Sequence, residues 1–150
     1  LFERLLADSY FARPAPKSTG RDLFNLSWLK QHLQAHPDAS AADVQATLLA
    51  LTAESTAQAI RAQKLSAVYL CGGGAENAGL AQAIQQAVGP DTLVQSTHAL
   101  GIAPQAVEAS GFAWLARQRV HEVPIPLTRI TGSRHDSILG AWHKAPSRQR

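Results

Sequence analysis

Residues 65–80 read LSAVYLCGGGAENAGL, and this stretch decides the fold. The apolar run 67–71 is typical of a buried strand, and it leads directly into Gly72, Gly73 and Gly74. Asn77 then opens an alanine-rich helical pattern. Because glycine has no Cβ and reaches positive φ freely, a strand, a glycine turn and a helix in this order favour close approach of a ligand to the main chain. A tight turn whose glycines serve only packing is the alternative.

The helix predicted from Asn77 to about Val88 adds an electrostatic argument to the glycine turn. Its first N–H groups and the positive end of its dipole would point at the turn and favour an anion such as phosphate. A short strand predicted at residues 92–96 follows Gly89 and Pro90. Residues 65–96 therefore form a predicted β–α–β unit of about 30 residues with parallel strands.

The rest of the chain is predicted to be mainly helical. Helical spacing of apolar residues predicts helices over residues 1–7, from 26 to an end between His32 and His36, from 40 to about 62 and from 104 to about 120. Asn25 and Ser40 are good caps for the second and third of these. Residues 9–16 are expected to be extended, because Pro14 and Pro16 disfavour helix.

Composition excludes several classes of protein. The 150 residues are 45% apolar and 17% charged, which indicates a globular domain. No apolar run approaches the roughly 20 residues of a membrane span, and no nucleic-acid motif accompanies the net charge of +3. Nucleic-acid and membrane partners are therefore not expected. The single Cys71 excludes an internal disulfide and favours a cytoplasmic protein. The chain has no methionine and begins inside a helical pattern, so it is predicted to be a piece of a longer protein.

Two kinds of chemistry are disfavoured by the spacing of residues. None of the histidines has a CxxC or a carboxylate pair beside it, so no metal site is predicted. Cys71 is expected to be a small core residue at the end of a strand. Dinucleotide binding is also disfavoured. The pattern Gly72-x-Gly74-x-x-Asn77 lacks the last glycine of the dinucleotide fingerprint, and the next strand ends in Gln95 and Ser96 instead of an acid.

Four segments carry a resemblance to a known family. They are LADSYFARPAPKSTGRDLFN (residues 6–25), VYLCGGGAENAGL (68–80), LGIAPQAVEASGFAWLA (100–116) and TGSRHDSILGAWH (131–143). In this order they resemble the anhydro-N-acetylmuramic acid kinases. The resemblance implies an α/β fold: the C-terminal lobe of an actin/hexokinase-like (ribonuclease H-like) two-lobed kinase, with a mixed sheet flanked by helices. It implies one lobe over residues 1–150, and residues 146–150 are expected to form a disordered tail.

The resemblance also implies an activity and its site. Such enzymes open the 1,6-anhydro bridge of anhydro-N-acetylmuramic acid with water and phosphorylate O6, using ATP and magnesium (Mg2+), to give N-acetylmuramic acid 6-phosphate in peptidoglycan recycling. Nucleotide contacts are implied for Gly72, Gly73, Gly74 and Asn77, and Asn77 would bond ribose, adenine or the turn itself. A role near the nucleotide is implied for the KSTGR block, with the residues Lys17, Ser18 and Thr19. A sugar contact is implied for Glu108.

The catalytic base and the first phosphate loop are expected upstream of Leu1, in a missing N-terminal lobe. No catalytic residue is therefore assigned, and these 150 residues alone are expected to be inactive. A homodimer is left open. Two alternatives remain: a non-catalytic nucleotide- or sugar-binding domain derived from a kinase half, and a kinase for another amino sugar.

Overall fold

The computed structural model describes residues 1–128 and 130–143. Their α-helices are α1 (Phe2–Leu6), α2 (Ser9–Ala12), α3 (Leu26–Leu33), α4 (Ala41–Ala62), α5 (Ala78–Val88) and α6 (Ala106–Val120). The strands are β1 (Ala67–Leu70) and β2 (Leu93–Ser96), and 3-10 turns occupy Gly73–Glu76 and Thr97–Leu100. The chain divides into two compact units between Gln105 and Ala106. No helix of the described residues is long and apolar enough to cross a membrane.

The predicted β–α–β unit is confirmed as β1, α5 and β2. The strands are parallel, with Ala67 opposite Leu93 and Leu70 opposite Ser96. Helix α5 begins after Asn77 and ends at Gly89, which adopts φ 87°. This is the left-handed range that glycine reaches most easily, and it stops the helix at the predicted position.

The core of the first unit lies between the sheet, α5 and α4. Ala53 and Ile60 of α4 are buried with Ile84 of α5, and Val68 and Val94 of the strands pack against them. The side chain of Arg61, near the end of α4, donates to the carbonyl of Ala87 at 2.7 Å. Helix α4 thus packs on α5, and the strand residues Val68 and Val94 pack against the cluster that the two helices share.

The start of the outer edge of β2 is covered by one side chain. The Gln85 carbonyl oxygen accepts the N–H of Val94 at 3.1 Å, and its amide nitrogen donates to the carbonyls of Gly89 at 2.9 Å and Thr92 at 3.0 Å. These bonds satisfy backbone groups that would otherwise seek another strand. Among the described residues the sheet has two strands, so an α/β fold is confirmed and the mixed sheet stays a prediction.

The expectation of extended structure over residues 9–16 is wrong for Ser9–Ala12, which form α2. Asp8 caps this helix, because its Oδ1 accepts the N–H of Tyr10 at 2.9 Å. The prolines act only later, at Arg13, which stands before Pro14 and is extended with φ −65° and ψ 140°.

The second unit is described by itself. Helix α6 buries none of its residues, and Trp114 is 48% exposed. Ile125 is buried and exchanges backbone hydrogen bonds with Ser137 in an isolated antiparallel bridge. The prediction of a single lobe over 1–150 stays a prediction, and residues 146–150 lie outside the described residues.

Candidate functional site

Gly72 fixes the shape of the glycine turn. It adopts φ 73° and ψ −170°, a region that is essentially restricted to glycine. Its N–H donates to the carbonyl of Pro104 at 2.9 Å, and its own carbonyl accepts the N–H of Ala75 at 3.1 Å. The turn is therefore held from both sides, by the 3-10 turn that follows it and by the loop after β2.

Gly73 and Gly74 present open backbone. A Cβ placed on Gly73 would meet no atom within 4 Å, and one on Gly74 would meet only the Leu80 side chain, at 3.7 Å. Both glycines are exposed. Within the described part of the chain their amide N–H groups have no acceptor. Two adjacent donors on an unobstructed surface suit the oxygens of a phosphate group.

Asn77 acts as the cap of α5. Its side-chain oxygen accepts the N–H of Leu80 at 3.1 Å, while its own N–H donates to the carbonyl of Gly74 at 3.2 Å. The Asn77 side chain thus bonds helix α5, and its predicted contact with ribose, adenine or the turn stays a prediction. The start of α5 offers an anion less than predicted. Asn77 already satisfies one of the first N–H groups of α5, and a 3-10 turn separates that helix from Gly72.

The loop after β2 lies beside the glycine turn, and sequence reasoning treated it only as a connection. Leu70 pairs with Ser96, so Cys71 and Thr97 both continue from the carboxyl edge of the sheet, where α/β proteins commonly bind ligands. Thr97 is buried, and its hydroxyl has no partner within the described residues. The parallel pairing could have indicated this neighbour in advance, because strands that run in parallel end at the same edge.

Cys71 is exposed, so its expected place in the core is wrong. The strand ends one residue earlier, at Leu70, and the chain turns at Gly72. Over residues 1–128 and 130–143, no three metal-ligating side chains come together.

The KSTGR block lies in a different part of the first unit. The ammonium group of Lys17 donates to the carbonyls of Tyr10 at 3.2 Å and Phe11 at 2.8 Å, and it lies 5.0 Å from the centre of the Tyr10 ring. These contacts stabilise the end of α2. Lys17 and Thr19 line a cavity whose lining does not include the glycine turn, and Ser18 is exposed. The structure thus does not bring the two predicted nucleotide segments into one cavity.

Asp8 holds the start of the segment that carries the KSTGR block by hydrogen bonds. Its second carboxylate oxygen accepts the indole N–H of Trp28 at 2.9 Å. The bond from the Tyr10 N–H, then that from Trp28, lower the pKa of Asp8, and the charges of His32 and Arg13 act in the same direction against a raising effect of burial.

Glu108 lies in the first turn of α6, in the second unit, and its side chain is exposed. A carboxylate is favoured there by the helix dipole. Its predicted contact with a sugar stays a prediction.

Taken together, the parallel strands and the open glycine turn define an α/β protein with an exposed glycine turn at the carboxyl edge of its sheet. Comparison with known proteins identifies the family. A family model described as anhydro-N-acetylmuramic acid kinase matches residues 1–145. The chain belongs to this family.

Curated relatives agree with the family match. The protein named anhydro-N-acetylmuramic acid kinase from Legionella pneumophila (strain Corby) is 46% identical over 143 residues, which cover 94% of this chain and 38% of the relative. The protein of the same name from Burkholderia orbicola (strain MC0-3) is 47% identical over 148 residues, covering 95% of this chain and 39% of the relative. The chain therefore spans about two fifths of the length of these relatives.

Proposed function

We propose that this chain is the nucleotide-side part of an ATP-dependent kinase acting on anhydro-N-acetylmuramic acid. The observation that carries the proposal is the family match over residues 1–145. In the proposed reaction water opens the 1,6-anhydro bridge, a hydroxyl remains on C1, and O6 takes the γ-phosphoryl group of ATP. The products are N-acetylmuramic acid 6-phosphate and ADP. The base that accepts the water's proton is proposed to lie upstream of Leu1.

Gly72, Gly73 and Gly74 are proposed to contact the phosphates of the nucleotide. The free N–H groups of Gly73 and Gly74 and the open space above them support this role. Asn77 supports it indirectly, since its cap fixes the start of α5. Magnesium is proposed to enter with ATP and to neutralise charge on the phosphates.

The remaining site residues are proposed from the family resemblance. Lys17, Ser18 and Thr19 are proposed nucleotide contacts, although two donors of Lys17 are already engaged with backbone carbonyls. Glu108 is proposed to accept hydrogen bonds from sugar hydroxyls, and its exposure is compatible with this.

The fold is proposed to be the C-terminal lobe of an actin/hexokinase-like kinase. The sheet supports this, because parallel sheets normally have both faces covered, whereas Tyr69 and Leu93 on the face opposite α4 are 38% and 47% exposed. Gln85 covers the start of the outer edge of β2, and further strands are proposed to add beside β1. The N-terminal lobe is the proposed partner, the cytoplasm the proposed location, and a homodimer remains open.

The test is a kinase assay on the full-length protein that contains this chain. Incubation with ATP, Mg2+ and anhydro-N-acetylmuramic acid should give the 6-phosphate, whereas the 150 residues alone should give none. Glu108→Gln should lower kcat/KM for the sugar about 10- to 100-fold, because a charge-assisted hydrogen bond contributes roughly 1.5–3 kcal/mol. Glu122→Gln, an exposed carboxylate on the same unit, is the matched control.

Two outcomes of this assay would favour the alternatives. ATP binding without sugar phosphate formation would indicate a non-catalytic binding domain. Faster turnover of another amino sugar than of the anhydro sugar would indicate a different kinase of the same superfamily.

A further inference from the structure

Two buried threonines flank strand β2, and only one of them has a partner for its hydroxyl. Thr92 stands directly before the strand and Thr97 directly after it, and each residue is 8% exposed. The Thr92 hydroxyl donates to the carbonyl of Leu65 at 2.9 Å. The Thr97 hydroxyl has no hydrogen-bond partner within residues 1–128 and 130–143. A buried hydroxyl without a partner lowers stability, so its presence at one end of the strand needs an explanation.

Thr97 lies at the position where β1 and β2 separate. The N–H of Leu93 donates to the carbonyl of Ser66 at 2.9 Å, and this bond sets the phase of the parallel ladder. Such a ladder repeats every two residues along each strand. If the strands continued in this phase, the N–H of Gly72 would therefore donate to the carbonyl of Thr97.

Both of these backbone groups leave the ladder. Gly72 donates to the carbonyl of Pro104 at 2.9 Å instead, and the Thr97 carbonyl accepts the N–H of Ile102 at 3.2 Å. Pro104 is itself buried. The loop after β2 thus folds back on the end of the strand and bonds the glycine turn. The unpaired hydroxyl of Thr97 is buried where this loop and the turn meet.

We propose that Thr97 is a positioning residue for the nucleotide and acts through the glycine turn. The inference rests on the proposed function, in which the exposed N–H groups of Gly73 and Gly74 donate to phosphate oxygens. With a phosphate in place, the Thr97 hydroxyl forms a hydrogen bond with the backbone of the turn. Because this bond accompanies phosphate binding, it favours the conformation of the turn that holds the nucleotide. The unpaired hydroxyl is thus a cost in stability that is recovered on binding.

The experiment is calorimetric titration of the full-length protein with ADP and Mg2+, with three variants. Thr97→Val removes the unpaired hydroxyl at nearly constant shape, and Thr97→Ser keeps the hydroxyl but removes the methyl group. Thr92→Val is the matched control, because it removes a hydroxyl of equal burial at the other end of β2. Thermal unfolding followed by circular dichroism gives Tm for each variant.

Affinity and stability are expected to change in opposite ways. Thr97→Val should weaken ADP binding about tenfold without lowering Tm, since no hydrogen bond among the described residues is lost. Thr97→Ser should stay within about threefold of the parent affinity, because the hydroxyl is retained. Thr92→Val should lower Tm by about 2 °C or more and leave the affinity for ADP within about twofold. A purely structural role for Thr97 would not give this pattern.

Three results overturn the proposal while leaving the proposed function intact. Thr97→Val could bind ADP like the parent protein, which would exclude the hydroxyl from binding. Thr97→Ser could be as weak as Thr97→Val, which would assign the effect to packing of the methyl group. Thr97→Val could lower Tm as Thr92→Val does, which would show that the hydroxyl is already paired without the nucleotide. A parent protein that does not bind ADP would contradict the proposed function itself.

Discussion

Replacing Gly72 and Gly73 by alanine, one at a time, separates two roles of the glycine turn: its backbone conformation, which affects stability, and its proposed contact with phosphates. Gly72 has φ 73° and ψ −170°, a conformation that costs a residue with a side chain about 1–3 kcal/mol. A Cβ at this position would meet no atom within 4 Å, so there is no steric collision to add. Gly72→Ala should therefore lower the free energy of unfolding by about 1–3 kcal/mol through the backbone alone.

Gly73→Ala is the matched control one residue away. Its added Cβ would also meet no atom within 4 Å, and its φ lies outside the left-handed range. Its stability should stay within about 0.5 kcal/mol of the parent protein. The new methyl group would, however, stand on the open surface where the phosphates are proposed to lie. ADP binding should weaken about tenfold, or ~1.4 kcal/mol.

Urea unfolding followed by circular dichroism measures the free energy of unfolding, and the slope m is compared between variants. Calorimetric titration with ADP measures the affinity for the nucleotide. The expected pattern is loss of stability in Gly72→Ala and loss of affinity at full stability in Gly73→Ala. If Gly72→Ala is as stable as Gly73→Ala, the backbone argument fails. If Gly73→Ala binds ADP like the parent protein, the proposed phosphate contact is refuted.

Three further predictions concern stability. Ile84→Ala should cost about 2–5 kcal/mol in urea unfolding, because Ile84 is buried between α4 and the sheet, and a cost below 1 kcal/mol would contradict this packing. Asp8→Asn should cost about 1 kcal/mol at pH 7. Since the folded pKa of Asp8 is lowered, this difference should persist above pH ~4 and shrink as the pH falls further; a constant difference down to pH 2 would exclude the charged cap. Lys17→Gln should cost about 1 kcal/mol through the carbonyls at the end of α2, whereas the exposed Lys30→Gln should be neutral, and equal effects would argue against that contact.

The elements that were predictable from sequence are those with local signals. The run 67–71, the glycines and the cap at Asn77 define β1 and α5 within a few residues, and Gly89 stops α5. Asn25 and Ser40 likewise cap α3 and α4 as predicted. Family membership was also predictable, because the four quoted segments are specific. Helix α2 is not predicted, because Pro14 and Pro16 favour extended structure and the cap at Asp8 is a weaker local signal.

The site was only partly predictable, because its decisive contacts join residues distant in the chain. Nothing local to Gly72 indicates that its N–H bonds Pro104. The three bonds of Gln85 depend on the return of the chain at β2. The motif predicts Lys17 as a site residue, yet the direction of its ammonium group depends on the short helix α2, which the sequence does not predict.

The bond between Gly72 and Pro104 has a thermodynamic consequence. Pro104 precedes Glu108 by four residues, so the turn proposed for the nucleotide and the carboxylate proposed for the sugar are joined by one hydrogen bond and a short length of backbone. A nucleotide that shifts Gly72 would thereby change the affinity for the sugar. Linkage then requires the sugar to change the affinity for the nucleotide by the same factor. The factor would be the same whichever of the two substrates binds first.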